Sequence, residues 1–204
     1  MIKNIIFDIG NVLVDYCWED HIVHCGFQGE TKERIGRAMM LSDTWQEVDR
    51  GVWTEEELLA GFIANDRELE QEIRAVFSDL STLLRERSGS IPWLRSLKAD
   101  GYQVYYLSNF SEKVKREAGK ELTFLNEMDG GIMSYTVQVI KPAPEIYRKL
   151  LEKYGLSAEE SVFLDDSDAN VQAAKALGME GILVTSQEQA KKELHKLLEG
   201  RNRE

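Results

Sequence analysis

The chain opens on a short apolar run, residues 2–7 (IKNIIF), that stops at Asp8 and is broken by Gly10 and Asn11. A run of that length, rich in isoleucine and closed by turn formers, predicts a buried β-strand with the aspartate at its carboxyl end. From residue 16 to residue 87 the texture changes. This stretch has no β-rich run and no proline, and its apolar residues recur at helical spacing. Thr54 with Glu57 three positions on, just before Leu58-Leu59, is a capping-box helix start. Thr31 ahead of Arg34-Ile35 reads as another start, and residues 66–77 as a further helix. The stretch is expected to hold about four helices.

Strict alternation follows. Helix is expected over 90–99, with Pro92 in the first turn where its missing N–H costs nothing, and strand over 102–107. Then come helix 111–120, strand 131–139, helix 144–154 closed by Gly155, strand 161–164, helix 168–177 closed by Gly178, strand 181–184 and helix 187–198. Repeated strand–helix units imply a parallel sheet covered on both faces. The expected architecture is therefore an α/β, Rossmann-like core over residues 1–15 and 88–204, carrying a helical insert over 16–87. Residues 201–204 are expected to fray.

Parallel sheets place their sites at the carboxyl ends of the strands. The polar residues at those ends are Asp8, Ser108-Asn109, Lys141 and Asp165-Asp166. Three carboxylates in one crevice cannot all stay ionised unpaired. A hard dication with oxygen ligands resolves this, and Mg²⁺ uses one or two carboxylates together with waters and substrate phosphate. Mg²⁺ and Lys141 together cancel the three negative charges. A carboxylate held against a metal and a lysine can attack phosphorus, giving an acyl-phosphate that water opens. Phosphoryl transfer asks mainly for positioning and neutralisation. The Ser108 hydroxyl and the N–H groups around Asn109 suit phosphate oxygens.

Composition narrows the partners. The 204 residues are 43% hydrophobic and 30% charged, ordinary for a globular protein large enough for a proper core. A net charge of −11 argues against nucleic acid, which is held by basic surfaces. Cys17 and Cys25 are too few for a disulfide framework and fit a reducing cytoplasm. No leader is expected, and no apolar run approaches the ~20 residues that span a bilayer. The expected partner is a small phosphorylated molecule.

FDIGNVLVDY, LSN, IKPAPEIY and FLDDSDANVQAAKALG, in this order, resemble the haloacid dehalogenase superfamily of phosphohydrolases. The helical stretch between the first two resembles that family's cap. DIGNVLVD, with WQEVDRG in the cap, is similar to the α-D-glucose-1-phosphate phosphatase branch. The resemblance implies a nucleophile and metal ligand at Asp8, a phosphate-binding Ser108 and a neutralising Lys141. It also implies Mg²⁺ on Asp166 and the carbonyl of Gly10, with Asp165 acting directly or through water. One position departs from the pattern. The family usually carries a second aspartate, the general acid/base, two residues after the nucleophile, where this chain has Gly10. Such a group is typically worth about 10²–10⁴ in rate. Either the substrate has a leaving group needing little protonation, such as an anomeric sugar phosphate, or Asp15, Asn11 or His21 helps through water, or the protein is slow or non-catalytic.

Plainer readings accompany each motif. Asp8 alone reads as a turn former, Ser108-Asn109 as a helix cap, and Lys141-Pro142 as a loop. Asp168 reads as the cap of its helix, and Asn170 as a solvated first-turn residue. Cys17, His21, His24 and Cys25 fit no closed zinc spacing and are expected to line the insert's first helix. Among Trp18, His21 and Trp45, one is expected to touch substrate, and the sequence leaves open which. A dehalogenase would need no metal, against the Asp165-Asp166 pair. A phosphonatase would want a cap lysine, and Lys32 is the sole candidate.

Overall fold

A computed structural model describes residues 1–201; the tail expected to fray lies, from residue 202 on, outside the described residues. Strand β1 (Asn4–Phe7) is followed by β2 (Val14–Tyr16). Helices α1 (Trp18–His24), α2 (Gly29–Ala38), α3 (Thr44–Arg50), α4 (Glu55–Asn65) and α5 (Glu70–Ser78) come next, then β3 (Leu84–Glu86). The rest alternates: α6 (Ser90–Ala99), β4 (Gln103–Ser108), α7 (Glu112–Glu117), β5 (Gly130–Met133), α8 (Pro144–Tyr154), β6 (Ser161–Asp165), α9 (Asp168–Ala176), β7 (Glu180–Leu183) and α10 (Gln187–Arg201).

Five strands form one parallel sheet in the order β5-β4-β1-β6-β7, with β1 at its centre. Side chains alternate across β1 as a two-residue period demands. Ile5 and Phe7 join the cluster that holds Trp93 and Leu94 of α6 and Leu194 of α10, and Phe7 meets Trp93 edge-on at 4.8 Å. Ile6 faces the opposite cluster, with Ile146, Tyr147 and Leu150 of α8 and Ala174 of α9. The sheet is thus covered by helices on both sides, as the alternation predicted.

Five α-helices, not four, fill the stretch between β2 and β3. The Thr54 capping box forms: Glu57 N–H donates to the Thr54 hydroxyl at 3.2 Å and Thr54 N–H to the Glu57 carboxylate at 2.8 Å. The expected start at Thr31 falls inside α2, which begins at Gly29. The expected helix over 66–77 splits, because Asp66 caps a short 3₁₀ turn (Arg67–Leu69) before α5. These helices share a core, in which Phe62 lies 5.9 Å from Trp45 and 5.5 Å from Phe77. The expectation of no β-structure between 16 and 87 fails at the edges. β2 and β3 pair antiparallel (Val14↔Glu86, Asp15↔Arg85, Tyr16↔Leu84), tying the two ends of the helical segment together. Three residues per strand are too few for alternation to show in the sequence.

Two further expectations shorten. β5 ends at Met133 and gives way to a 3₁₀ turn (Ser134–Thr136), and α7 stops at Glu117. No helix among the described residues is long and apolar enough to cross a membrane.

Candidate active site

The carboxyl ends of β1, β4 and β6 meet under the helical segment, where the chain leaves the sheet and its polar groups are free of ladder bonds. Asp8 follows β1, is 7% exposed, and is held by its own N–H on the Leu164 carbonyl at 2.8 Å. Lys141, 3% exposed, reaches in from the loop after β5. Its Nζ stands 2.8 Å from Asp8 Oδ1 and 2.6 Å from Asp165 Oδ2. Burial alone would lower the Lys141 pKa, but the two carboxylates raise it overall, so the ammonium is kept.

Asp8 has the opposite balance. Burial pushes its carboxyl up and the Lys141 charge pulls it down; with Asp165 adding to the rise, it reaches about 6. Ser108, buried at the end of β4, also favours the ionised form. Asp8 Oδ1 meets the Lys141 ammonium as a buried ion pair and has no further partner.

Asp165 is fully buried and saturated. Its Oδ1 accepts from Ser167 N–H at 2.8 Å and Asn170 Nδ2 at 3.0 Å, and its Oδ2 accepts from Lys141. Asp166 is exposed, and its Oδ2 accepts from Asn11 Nδ2 at 2.9 Å. One oxygen each from Asp8, Asp165 and Asp166 lies within 4.8 Å of the others. Oxygen donors clustered this way suit a hard dication, and the residues present fit Mg²⁺. Gly10 borders the same cavity.

That cavity measures about 200 Å³ and is walled by Asp8, Gly10 and Asp166 below and by Tyr16, Trp45 and Asp49 above. Of the three residues expected to offer substrate contacts, only Trp45 lines it. Trp18 instead covers Gly36 of α2, where a Cβ would come within 2.5 Å of its ring. His21 is 1% exposed, and its ring nitrogens are taken by Thr82 Oγ1 at 2.8 Å and the Val76 carbonyl at 3.2 Å. Burial also lowers its pKa, so His21 is a satisfied core histidine rather than a helper in catalysis. Asp15 is likewise committed, to Arg87 at 2.6 Å and Arg85 at 3.6 Å.

Asn109 borders the cavity, and its side chain has a second task beside the phosphate contact expected of it. Its amide clasps the backbone of Lys141, accepting from the Lys141 N–H at 2.7 Å and donating to its carbonyl at 3.1 Å. Of the N–H groups that follow, Phe110 donates to Ser134 Oγ at 2.9 Å and Val114 to Ser111 Oγ at 3.1 Å. Asp168 does not cap α9; it is the first helical residue, and Asp165 receives the Ser167 N–H. Asn170 is not merely solvated, because its amide grips both Asp165 oxygens. Lys32 pairs with Glu19 at 2.6 Å, and neither borders the cavity.

Sequence reasoning missed Asp49 and Tyr16. Nothing in WQEVDRG distinguishes an aspartate that faces the sheet from its solvated neighbours. Its one signal was the i, i+4 spacing from Trp45, which puts both on one helix face.

The family model of haloacid dehalogenase-like hydrolases matches residues 2–178. The sesquiterpene phosphatase astK of Aspergillus oryzae is 29% identical over 184 residues, covering 90% of each chain. The D-ribitol-5-phosphate phosphatase of Bacteroides thetaiotaomicron is 28% identical over 191 residues, covering 88% of this chain and 90% of that one. A crystal structure of a haloacid dehalogenase family enzyme from Bacteroides thetaiotaomicron, in complex with magnesium and inorganic phosphate, superposes with a TM-score of 0.68. It is 24% identical and covers 89% of this chain and 93% of that one. A parallel sheet with its carboxylates gathered at one crevice, matched over most of its length, defines a hydrolytic enzyme. The chain belongs to the haloacid dehalogenase-like hydrolases. The narrower likeness to glucose-1-phosphate phosphatases has no counterpart among these relatives.

Proposed function

We propose that this hydrolase is a Mg²⁺-dependent phosphatase of small phosphorylated metabolites, sugar phosphates among them, working through a phospho-aspartyl intermediate on Asp8. The observation that carries the reading is Lys141 set between Asp8 and Asp165, beside a three-carboxylate oxygen cluster whose charge one ammonium does not cancel. Asp8, Asp166 and the Gly10 carbonyl would hold the metal, with Asp165 close by. When bound, the ion supplies charge neutralisation for the phosphate. Asp8 attacks phosphorus, Lys141 offsets the charge of both nucleophile and phosphate, and Ser108 donates to a phosphate oxygen. Asn109 and Asn170 are positioning residues, for Lys141 and Asp165 respectively. The helices between β2 and β3 act as the cap over residues 16–87.

Size supports a small substrate, since about 200 Å³ falls below the range of drug-sized pockets. Trp45 and Tyr16 offer flat faces on which a sugar ring can rest. The named substrates of the relatives, a sesquiterpene phosphate and ribitol 5-phosphate, share only the phosphate ester. The test is a screen of sugar, nucleotide and short-chain phosphates for Mg²⁺-dependent phosphate release. Asp8→Asn is expected to abolish turnover of every substrate found. Robust release by that variant would remove Asp8 as nucleophile.

A further inference from the structure

Gly10 leaves a phosphatase without its proton donor, and Asp15, His21 and Asn11 are committed elsewhere. Asn11 is held by Asp166 on one side and accepts from the Tyr16 N–H at 3.3 Å on the other. One carboxyl on the roof of the cavity is not committed. Among the described residues, the Asp49 carboxylate has no hydrogen bond or ion pair, although it borders the same cavity as Asp8, Gly10 and Asp166.

Its position is fixed by more than one contact. Trp45, one turn earlier on α3, lines the cavity on the same face. The Asp49 carbonyl accepts from buried Ser134 Oγ at 2.5 Å, and that same oxygen receives the Phe110 N–H from the loop after β4. Helix α3 then ends on Gly51, left-handed at φ 71°, where a Cβ would lie 2.7 Å from Tyr135 Cβ. The end of α3 is therefore pressed onto the core, directly above the crevice.

We propose that Asp49 is the general acid and base of the reaction, replacing the aspartate absent at position 10. This rests on the phosphatase reading above. In the first step Asp8 Oδ forms a bond to phosphorus, the ester P–O bond breaks, and the Asp49 proton goes to the departing oxygen. In the second step water attacks phosphorus, the bond to Asp8 breaks, and Asp49 takes the proton that water loses. One phosphate ester and one water are consumed, and Asp8 and Asp49 return to their starting forms.

Electrostatics favour the proton on Asp49. The groups facing it are Asp8, Asp166 and Lys141 from the core and the Tyr16 hydroxyl from β2. On its own helix Arg50 is paired with Glu47 at 3.1 Å. Lys141 is already shared by two carboxylates, and it lowers the Asp49 carboxyl less than burial and Asp8 raise it. Burial, then the charge of Asp8, push the Asp49 carboxyl up to about 7, near working pH, where a proton is most readily both given and taken. Tyr16, whose hydroxyl is buried without a partner, is held neutral by its own burial and by Asp49.

The test compares wild type, Asp49→Asn and Asp49→Asn/Gly10→Asp on p-nitrophenyl phosphate, whose leaving group needs no proton, and on an alkyl phosphate taken from the screen. Position 10 has room for the new side chain, because nothing lies within 4 Å of a Cβ there. Asp49→Asn is expected to lose about 10²–10⁴ in kcat/KM on the alkyl ester and under tenfold on the aryl ester. With the aryl ester it should release one enzyme equivalent of nitrophenol in a burst and accumulate phospho-Asp8. The double variant should recover alkyl phosphate turnover. Equal loss on both esters without a burst, or unchanged kinetics, overturns the role of Asp49 while leaving Asp8 in place. A wild type inactive on every ester overturns the phosphatase reading and this inference with it.

Discussion

Asp8 and Asp49 are the same residue type in two settings, and the settings separate their chemistry. Asp8 has an ammonium and a hydroxyl at hand, which hold its rise to about 6 against burial. Asp49 has neither in direct contact, feels Lys141 only at a distance, and rises further, from 3.8 to about 7. A carboxyl whose pKa is raised by folding adds stability below its unfolded pKa, and that contribution is lost as pH climbs through the folded value. In metal-free protein, Asp49→Asn should therefore gain on wild type between pH 4 and pH 8. The gain expected is roughly 2 kcal/mol, about half of what a shift of this size gives for a fully enclosed group, because Asp49 is only half-buried. Thermal unfolding in EDTA at the two pH values measures it. A difference that does not grow with pH would mean that Asp49 ionises normally.

At the scale of elements, the Ser134 turn after β5 joins pieces far apart in sequence. Its hydroxyl donates to the Asp49 carbonyl at the end of α3 and accepts from Phe110 in the loop after β4. Ser134→Ala leaves two buried backbone groups without partners, which costs about 1–3 kcal/mol each when no water replaces the hydroxyl. A lower denaturation midpoint is expected, with faster amide exchange at the carboxyl end of α3. Unchanged exchange there would show that α3 is held by packing alone. This turn also marks where the sequence stopped being legible. β1, β4 and β6 could be read because each is an apolar run ending in a polar group, and that pattern delivered Asp8, Ser108 and the Asp165-Asp166 pair, whereas Lys141, expected at a strand end, lies in the loop well beyond β5. Contacts that cross between elements left no periodic trace. Asn170 grips Asp165 from a helix turn that looks solvated, and Asn109 spends its amide on a backbone 32 residues away. Asp49 borders the crevice from the same face of α3 as Trp45, one turn earlier.

At the scale of the whole molecule, the fold gathers acidic groups at the ends of β1 and β6 in a chain already carrying −11. Lys141 offsets only one of the three carboxylates, so the native state holds a repulsion that the unfolded chain relieves by moving them apart. A dication binding only the folded form reverses that balance. At one hundred times its Kd it adds about 2.7 kcal/mol, which for a domain of this size raises Tm by roughly 5–10 °C. Asp166→Asn removes an exposed ligand without disturbing the buried Lys141–Asp165 pair, so it should abolish most of that rise with little effect on the metal-free Tm. Asp49→Asn should keep the rise, since Asp49 belongs to the roof rather than to the oxygen cluster. Melting curves with Mg²⁺ and with EDTA for the three proteins separate these roles without any turnover being measured. If Mg²⁺ shifts wild type and Asp166→Asn equally, the ion sits elsewhere, and the three-carboxylate cluster is an anionic site held by Lys141 alone.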